Sequence, residues 1–301
     1  MRRAFLCGED KVTGRSFEHR RGWVEDKPLT LSQTFAIDVC AYAVMSNHTH
    51  LVLCVDVEKA KTWSIHEVIT RWHQLFKGTL ITQQYLRGDK LIKPLQQILE
   101  ETSEVYRARL TDISWFMRIL NENIAIQANK EDECTGRFWE GRFKSQALLD
   151  EAAVMACMAY VDLNPIRANI ATTPENSHYT SIQQRISAAK KAQQPSLLCP
   201  FVGNPRQNMP NGLMFEIKDY IELVELTGRC IREDKRGYID NYLPNILTRL
   251  NISTENWLTL TTQFRKVFHG AVGNPEALTD FFQHQHLKKL EAVSVCQKLF
   301  A

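Results

Sequence analysis

The chain has 301 residues, 44% of them hydrophobic, a formal net charge of +3, and eight cysteines with no C-x-x-C pair. That length holds one large domain, or a catalytic domain with an appendage. No apolar run nears the roughly 18 residues of a membrane span, and no signal-like stretch follows Met1, so a cytoplasmic protein without membrane contact is expected. The scattered cysteines exclude a disulfide frame or zinc knuckle and read as reduced packing residues, while the mild basicity is compatible with nucleic acid without requiring it.

Taken in order, the first segment carries Arg2, Arg3, Lys11, Arg15, Arg20, Arg21 and Lys27 against Glu9, Asp10, Glu18, Glu25 and Asp26, which reads as a mixed surface. Arg2 to Leu6 has the composition of a strand end. Phe35 to Val44 and His48 to Val55 are apolar, β-branched runs separated by Met45-Ser46-Asn47, a turn composition, and the pattern predicts a β-hairpin. Strand alternation puts His48, His50 and Val52 on one face, and Thr49, Leu51, Leu53 and Val55 on the other. With nine histidines in 301 residues about 0.3 H-x-H pairs arise by chance, so the tripeptide alone is a weak signal. A second pair, His284 and His286, falls in a segment of helical spacing, where residues two apart diverge around the axis and cannot share a metal.

Between Trp63 and Gln84, Ile65, Val68, Ile69, Trp72, Leu75 and Phe76 recur at helical spacing and predict one helix covering the sheet. Turn residues Arg87-Gly88-Asp89 lead to a short helix around Leu95 to Leu99. A long helix follows, capped by Ser103 or Thr111, with Leu110, Ile113, Met117, Leu120, Ile124 and Ile126 on its apolar side and Trp115 and Phe116 in the core.

Gly136-Arg137-Phe138-Trp139-Glu140-Gly141-Arg142-Phe143-Lys144-Ser145 interleaves basic and aromatic side chains. Such a mixture neutralises phosphates and stacks on unpaired bases, or else it is an amphipathic strand with Phe138, Trp139 and Phe143 in the core. Asp150 is a good N-cap for a helix over Glu151 to Leu163, which must end or bend near Asn164 because Pro165 follows. If the last turn holds, Tyr160 and Asn164 project from one face; the alternative is an interfacial tyrosine and a helix-ending Asn-Pro.

Met45-Ser46-Asn47-His48-Thr49-His50-Leu51-Val52-Leu53, the Gly136 to Ser145 segment and Ala159-Tyr160-Val161-Asp162-Leu163-Asn164-Pro165-Ile166-Arg167-Ala168 together resemble the single-tyrosine HUH transposases, most closely the REP-associated branch. The likeness covers residues 1–170 and rests on three motifs in order. It implies an α+β fold with a ferredoxin-like antiparallel sheet and packed helices, Tyr160 as nucleophile, and His48, His50 and Asn164 as ligands of Mg²⁺ or Mn²⁺. It further implies single-stranded or hairpin DNA as partner, contacted by Arg137, Trp139, Arg142, Lys144 and Arg167, and a 5′-phosphotyrosine intermediate in DNA transposition. A monomer or homodimer is expected. The sequence departs from the family in the polar Thr49 between the histidines, and in a first strand that looks clipped around Arg2 to Leu6.

Residues 171–212 read as linker and loops around a helix near Ile182 to Ala192. Residues 213–301 predict a helical C-terminal region over Phe215 to Ile231, Leu243 to Leu250, Thr254 to Phe268 and Pro275 to Val293. It reads as a small bundle, or as a DNA-binding unit with a helix-turn-helix turn at Leu247 to Trp257 and Arg229, Arg232, Lys235 and Arg236 toward phosphate. Three competing functions remain at this point: a nuclease with the same site acting as replication initiator or relaxase, a hairpin-binding protein that no longer cleaves, and a structural α+β protein with coincidental histidines.

Overall fold

Apolar alternation between Ile37 and Val55 forms an antiparallel hairpin, β1 (Ile37–Val44) and β2 (Thr49–Val55), closed by the Met45 amide donating to the His48 carbonyl at 2.9 Å. The computed structural model describes residues 6–10, 14–203, 212–231, 247, 250, 252–268, 270–284 and 292–300. Val39 pairs with Leu53 and Ala41 with Val52, so Cys40 is an extra residue, a β-bulge. The bulge places Cys40 and Ala41 consecutively on one face, toward one hydrophobic core, while Val39 and Tyr42 face the other. The hairpin is thus the layer between two cores, and the fold is mixed α+β.

The first core is roofed by α1 (Arg20–Thr34), α2 (Val57–Thr62), α3 (Ile65–His73), α4 (Leu80–Leu86), α5 (Lys93–Leu110) and α6 (Ile113–Glu131). The second gathers α7 (Glu151–Asp162), α8 (Asn164–Arg167), α9 (Ser181–Ala189), α10 (Ile217–Ile231), α11 (Thr254–Val267), α12 (Pro275–His284) and α13 (Ala292–Leu299). One continuous apolar cluster therefore joins residues of the expected 1–170 unit with the 213–301 region. The stretch expected to be linker contributes buried Ile182 and Ile186 to it.

Among the described residues the sheet has two strands. The outer edge of β1 is covered instead by later segments of the chain: the Val44 amide donates to the Tyr179 carbonyl at 3.1 Å, the Tyr42 amide to the Ser181 hydroxyl at 2.9 Å, and the Cys199 amide to the Val39 carbonyl at 2.9 Å. Covering an edge in this way removes a template for pairing with another chain. Arg2 to Phe5 lie outside the described residues; beside the turn, the Leu6 and Cys7 amides both donate to the Ser46 carbonyl, at 3.0 and 2.9 Å.

Several elements differ from the sequence expectation. The mixed surface before Phe35 contains α1, which has no apolar stripe to betray it and buries two arginines. Arg20, 1% exposed, is held by Glu131 at 2.8 Å and Asp132 at 2.5 Å; Arg21 donates to the Val44 carbonyl at 2.5 Å and to Ser46 Oγ at 3.2 Å. Buried charges of this kind persist only when paired and hydrogen-bonded. The single helix expected from Trp63 to Gln84 is two, α3 and α4, because Gly78 takes φ +67°, where a Cβ would collide with the His73 ring, and Thr79 caps a new helix.

The short helix near Leu95 is the 18-residue α5, which passes through Ser103, whose hydroxyl turns back to the Glu100 carbonyl at 2.7 Å. Asp112, neither Ser103 nor Thr111, caps α6 by accepting the Ser114 amide at 2.6 Å. Ile126 is 61% exposed rather than on the apolar side. Leu243 to Ile246 and part of the expected helix-turn-helix turn lie outside the described residues, as do Arg232, Lys235, Arg236 and His286. Arg229 is occupied by an ion pair with Glu225 one turn away, and His284 meets the Asp280 carbonyl at 2.9 Å on an exposed helix. No helix among the described residues is long and apolar enough to cross a membrane.

Candidate functional site

Asp150 caps α7 as expected, accepting the Ala153 amide at 2.8 Å. Its other carboxylate oxygen accepts the Asn274 amide, and beside it the Leu149 amide donates to the Val272 carbonyl and the Val272 amide to the Ala147 carbonyl, both at 2.8 Å, so the C-terminal region pins the start of this helix. The helix reaches Asp162, turns at Leu163 and continues for one more turn as α8, the Ala168 amide bonding the Asn164 carbonyl at 3.0 Å. Tyr160, Asn164 and Arg167 therefore stand four and three residues apart on one face. Two positions on from Tyr160, Asp162 is fully buried and accepts from Ser181 Oγ and Tyr220 Oη, both at 2.5 Å, and from the Ile182 amide at 3.0 Å. That network fixes the tyrosine-bearing helix against α9 and α10.

Across from this face, His48 and His50 converge. Their Nε2 atoms are 3.0 Å apart and their rings 4.7 Å, nearly perpendicular. The Tyr160 ring lies edge-on to His50 at 6.0 Å, in the same chain. His48 Nδ1 sits 2.6 Å from Asn47 Oδ1, and since an amide oxygen only accepts, Nδ1 carries the proton and Nε2 keeps its lone pair. Burial is the main cause that lowers the pKa of both rings. His48 is lowered next by Arg265; His50 is driven to about 3 by burial, then by His48, Arg265 and Arg167. Both imidazoles are neutral at physiological pH, the state in which they can ligate.

Arg167 stacks on the Tyr160 ring, its guanidinium carbon 3.7 Å from the centroid. It donates to Asn164 Oδ1 at 2.9 Å, to the Thr262 carbonyl at 2.9 Å and to the Tyr160 carbonyl at 3.1 Å, while its Nε and the Asn164 Nδ2 are buried without hydrogen-bond partners among the described residues. This residue, expected to contact DNA, is part of the tyrosine's own surroundings. Asn164 is near Tyr160 as expected, with its oxygen turned to Arg167. No group of three or more His, Cys, Asp or Glu side chains suited to a metal ion occurs among the described residues, so any ion here relies on the imidazole pair and an amide oxygen.

Sequence reasoning missed Asn47 as the residue that sets the His48 tautomer, read there only as turn composition. It also missed α11. Phe264 on that helix packs on Tyr160 at 5.8 Å, Thr262 holds Arg167, and the exposed Arg265 acts on both histidines while having no partner of its own among the described residues. No signal in the sequence joins these residues, about a hundred positions downstream, to Tyr160.

The Gly136 to Ser145 segment is coil, not strand. Phe138 is buried and Trp139 half-buried, its Nε1 donating to the Asn121 carbonyl of α6 at 2.8 Å. Arg137, Arg142 and Lys144 are exposed without ion-pair partners among the described residues, and Phe143 is 37% exposed. Arg137, Trp139 and Arg142 line a shallow pocket of about 300 Å³. Trp139 thus anchors the loop, whereas the cations and Phe143 face solvent. Comparisons with protein-family models, with curated proteins and with solved structures gave no match for this chain.

Proposed function

We propose that this chain is a single-tyrosine HUH transposase with a ferredoxin-like catalytic domain: a metal-dependent endonuclease and strand transferase on single-stranded or hairpin DNA that acts through a 5′-phosphotyrosine. The observation that carries the reading is the meeting of three side chains, with the His48 and His50 Nε2 atoms 3.0 Å apart and the Tyr160 ring 6.0 Å from His50. Coincidental histidines in a structural protein would have no reason to converge on that tyrosine.

Two neutral imidazoles with adjacent ring nitrogens fit a divalent ion, and nitrogen donors favour Mn²⁺ over Mg²⁺. His48 and His50 would hold it; Asn164 joins them only where Arg167 releases its oxygen. Bound there, the ion supplies positive charge for a non-bridging phosphate oxygen. Tyr160 Oη attacks phosphorus, the P–O3′ bond breaks, and the leaving oxygen takes a proton to become a 3′-hydroxyl. The phosphodiester energy stays in the tyrosyl link, so a 3′-hydroxyl of another strand reverses the step and joins the ends without ATP. Arg167, stacked on the ring, sets a positive charge beside the attacking tyrosine. Arg137, Arg142 and Lys144 neutralise the backbone of the bound strand, with Phe143 offering a face to an unpaired base.

The test is a denaturing gel of the full chain with a 3′-labelled single-stranded oligonucleotide carrying a palindrome, in Mn²⁺. A covalent adduct lost in Tyr160→Phe and in His48→Ala is the expected result. Hairpin binding without any adduct would refute cleavage and leave the non-cleaving reading, which the hold of Arg167 on the Asn164 oxygen favours.

A further inference from the structure

Three cysteines gather on the sheet face that also carries His50 and Val52. The bulge leaves Cys40 between Val39 and Ala41, and Cys54, opposite Asp38, is its diagonal neighbour on β2. The Cys40 thiol neighbours both Cys54 and Cys199. Cys40 and Cys199 are buried and held: their carbonyls share Arg185 Nη2, at 2.8 and 3.1 Å. Cys54 is exposed, and all three are free thiols. The set therefore has one accessible sulfur backed by a buried one.

We propose that Cys54 and Cys40 form a peroxide-responsive dithiol, Cys54 attacking and Cys40 resolving, which closes a reversible cross-strand disulfide. The Cys54 thiolate attacks one oxygen of hydrogen peroxide; the O–O bond breaks, hydroxide leaves and is protonated to water, and Cys54 becomes a sulfenic acid. The Cys40 thiol then gives up its proton and attacks that sulfur, so that the S–O bond breaks, a second water leaves and the S–S bond forms. Two thiols have lost two electrons to one peroxide, and an external dithiol returns them.

Two features favour Cys54 as the attacking sulfur. It is the solvent-facing one, and a hydrogen bond from Cys40 to its thiolate pulls its pKa down to about 7, against burial and the charges of Asp38 and Asp56. Diagonal cross-strand neighbours stand about 7–8 Å apart at Cα, somewhat beyond the usual disulfide span of about 5.5–6 Å. Closing that gap takes a local shift at the bulge, where Cys40 itself has no cross-strand partner in the ladder. The new bond would tie β2 to β1 four residues from His50, and it does not depend on the reaction proposed for Tyr160.

The experiment treats the full chain with hydrogen peroxide, blocks remaining thiols with iodoacetamide, and maps non-reduced peptides by mass spectrometry. A peptide pair joined through Cys40 and Cys54, two hydrogens lighter and reversed by dithiothreitol, is expected. Cys54→Ser, an exposed change that leaves the core intact, should reduce that product to background. Cys40→Ala should trap Cys54 as a dimedone-reactive sulfenic acid, and Cys199→Ala should leave the pair unchanged. A wild-type protein that oxidises Cys54 to sulfinic acid without the crosslink, or that joins Cys40 to Cys199 with Cys54 still free, overturns the proposal.

Discussion

Asn47→Ala is the sharpest probe of how the histidine pair is prepared. The hydrogen bond it removes, 2.6 Å from His48 Nδ1 to Asn47 Oδ1, keeps the proton on Nδ1 and the lone pair on Nε2. Both residues are on the exposed end of the hairpin, so the bond has the net worth of a solvated neutral one, about 0.5–1.5 kcal/mol, not that of a buried charged one. Converted at about 1.4 kcal/mol per decade, this predicts a loss of about 2-fold to 12-fold in Mn²⁺ affinity, at the lower end of what outer-shell ligands contribute. Calorimetric titration of the free chain with Mn²⁺ reads it directly, and adduct yield at sub-saturating Mn²⁺ should fall in proportion and recover when the metal is raised. Asn47→Asp, which keeps the acceptor, should bind at least as tightly as the parent. An unchanged affinity in Asn47→Ala, or an adduct defect that excess Mn²⁺ does not rescue, refutes the tautomer argument.

Arg265→Ala should slow adduct formation by about 10-fold or more while leaving strand binding nearly intact, since an unpartnered guanidinium beside the site acts on charge that develops during transfer; single-turnover kinetics alongside anisotropy separates the two. The triple change Arg137→Ala, Arg142→Ala, Lys144→Ala should weaken single-strand binding and reduce the slope of log affinity against log salt by about 2, at about 0.7 per neutralised phosphate. His50, whose pKa falls from 6.5 to about 3 in the fold, binds more protons unfolded than folded over that window, so its contribution to stability is present above pH 6.5 and is lost as pH drops toward 3. The slope is at most about 1.4 kcal/mol per pH unit, and urea titrations should show it flattened in His50→Gln.

Where residue pattern and burial coincide, the sequence was legible. The hairpin follows from alternation and turn composition, and α7 from an Asp150 cap on a run of strong helix formers. The convergence of Tyr160 with His48 and His50 was legible only through the motif resemblance, because it depends on how α7 crosses the sheet. Elements held by charge were not legible: α1 buries Arg20 and Arg21, which composition assigns to solvent, because their partners Glu131, Asp132 and the Val44 carbonyl come from far along the chain. Gly78 was passed over because helical spacing continues on both sides of it, whereas its positive φ arises from the turn between α3 and α4. Arg265 had no signal at all, since a cation acquires this role only from the tertiary neighbours that α11 brings to it.

Phe264 packs on Tyr160 across about a hundred residues of chain, and this has a meaning in time as well as in space. At synthesis rates of about 5–20 residues per second, the helix bearing Tyr160 exists for about 5–20 s before the segment that seats against it has been made. The hairpin and the helices of the first core are complete by then, but the tyrosine's surroundings are not. A growing chain therefore presents its histidines early, and the surroundings of Tyr160 are completed only once α11 has been made.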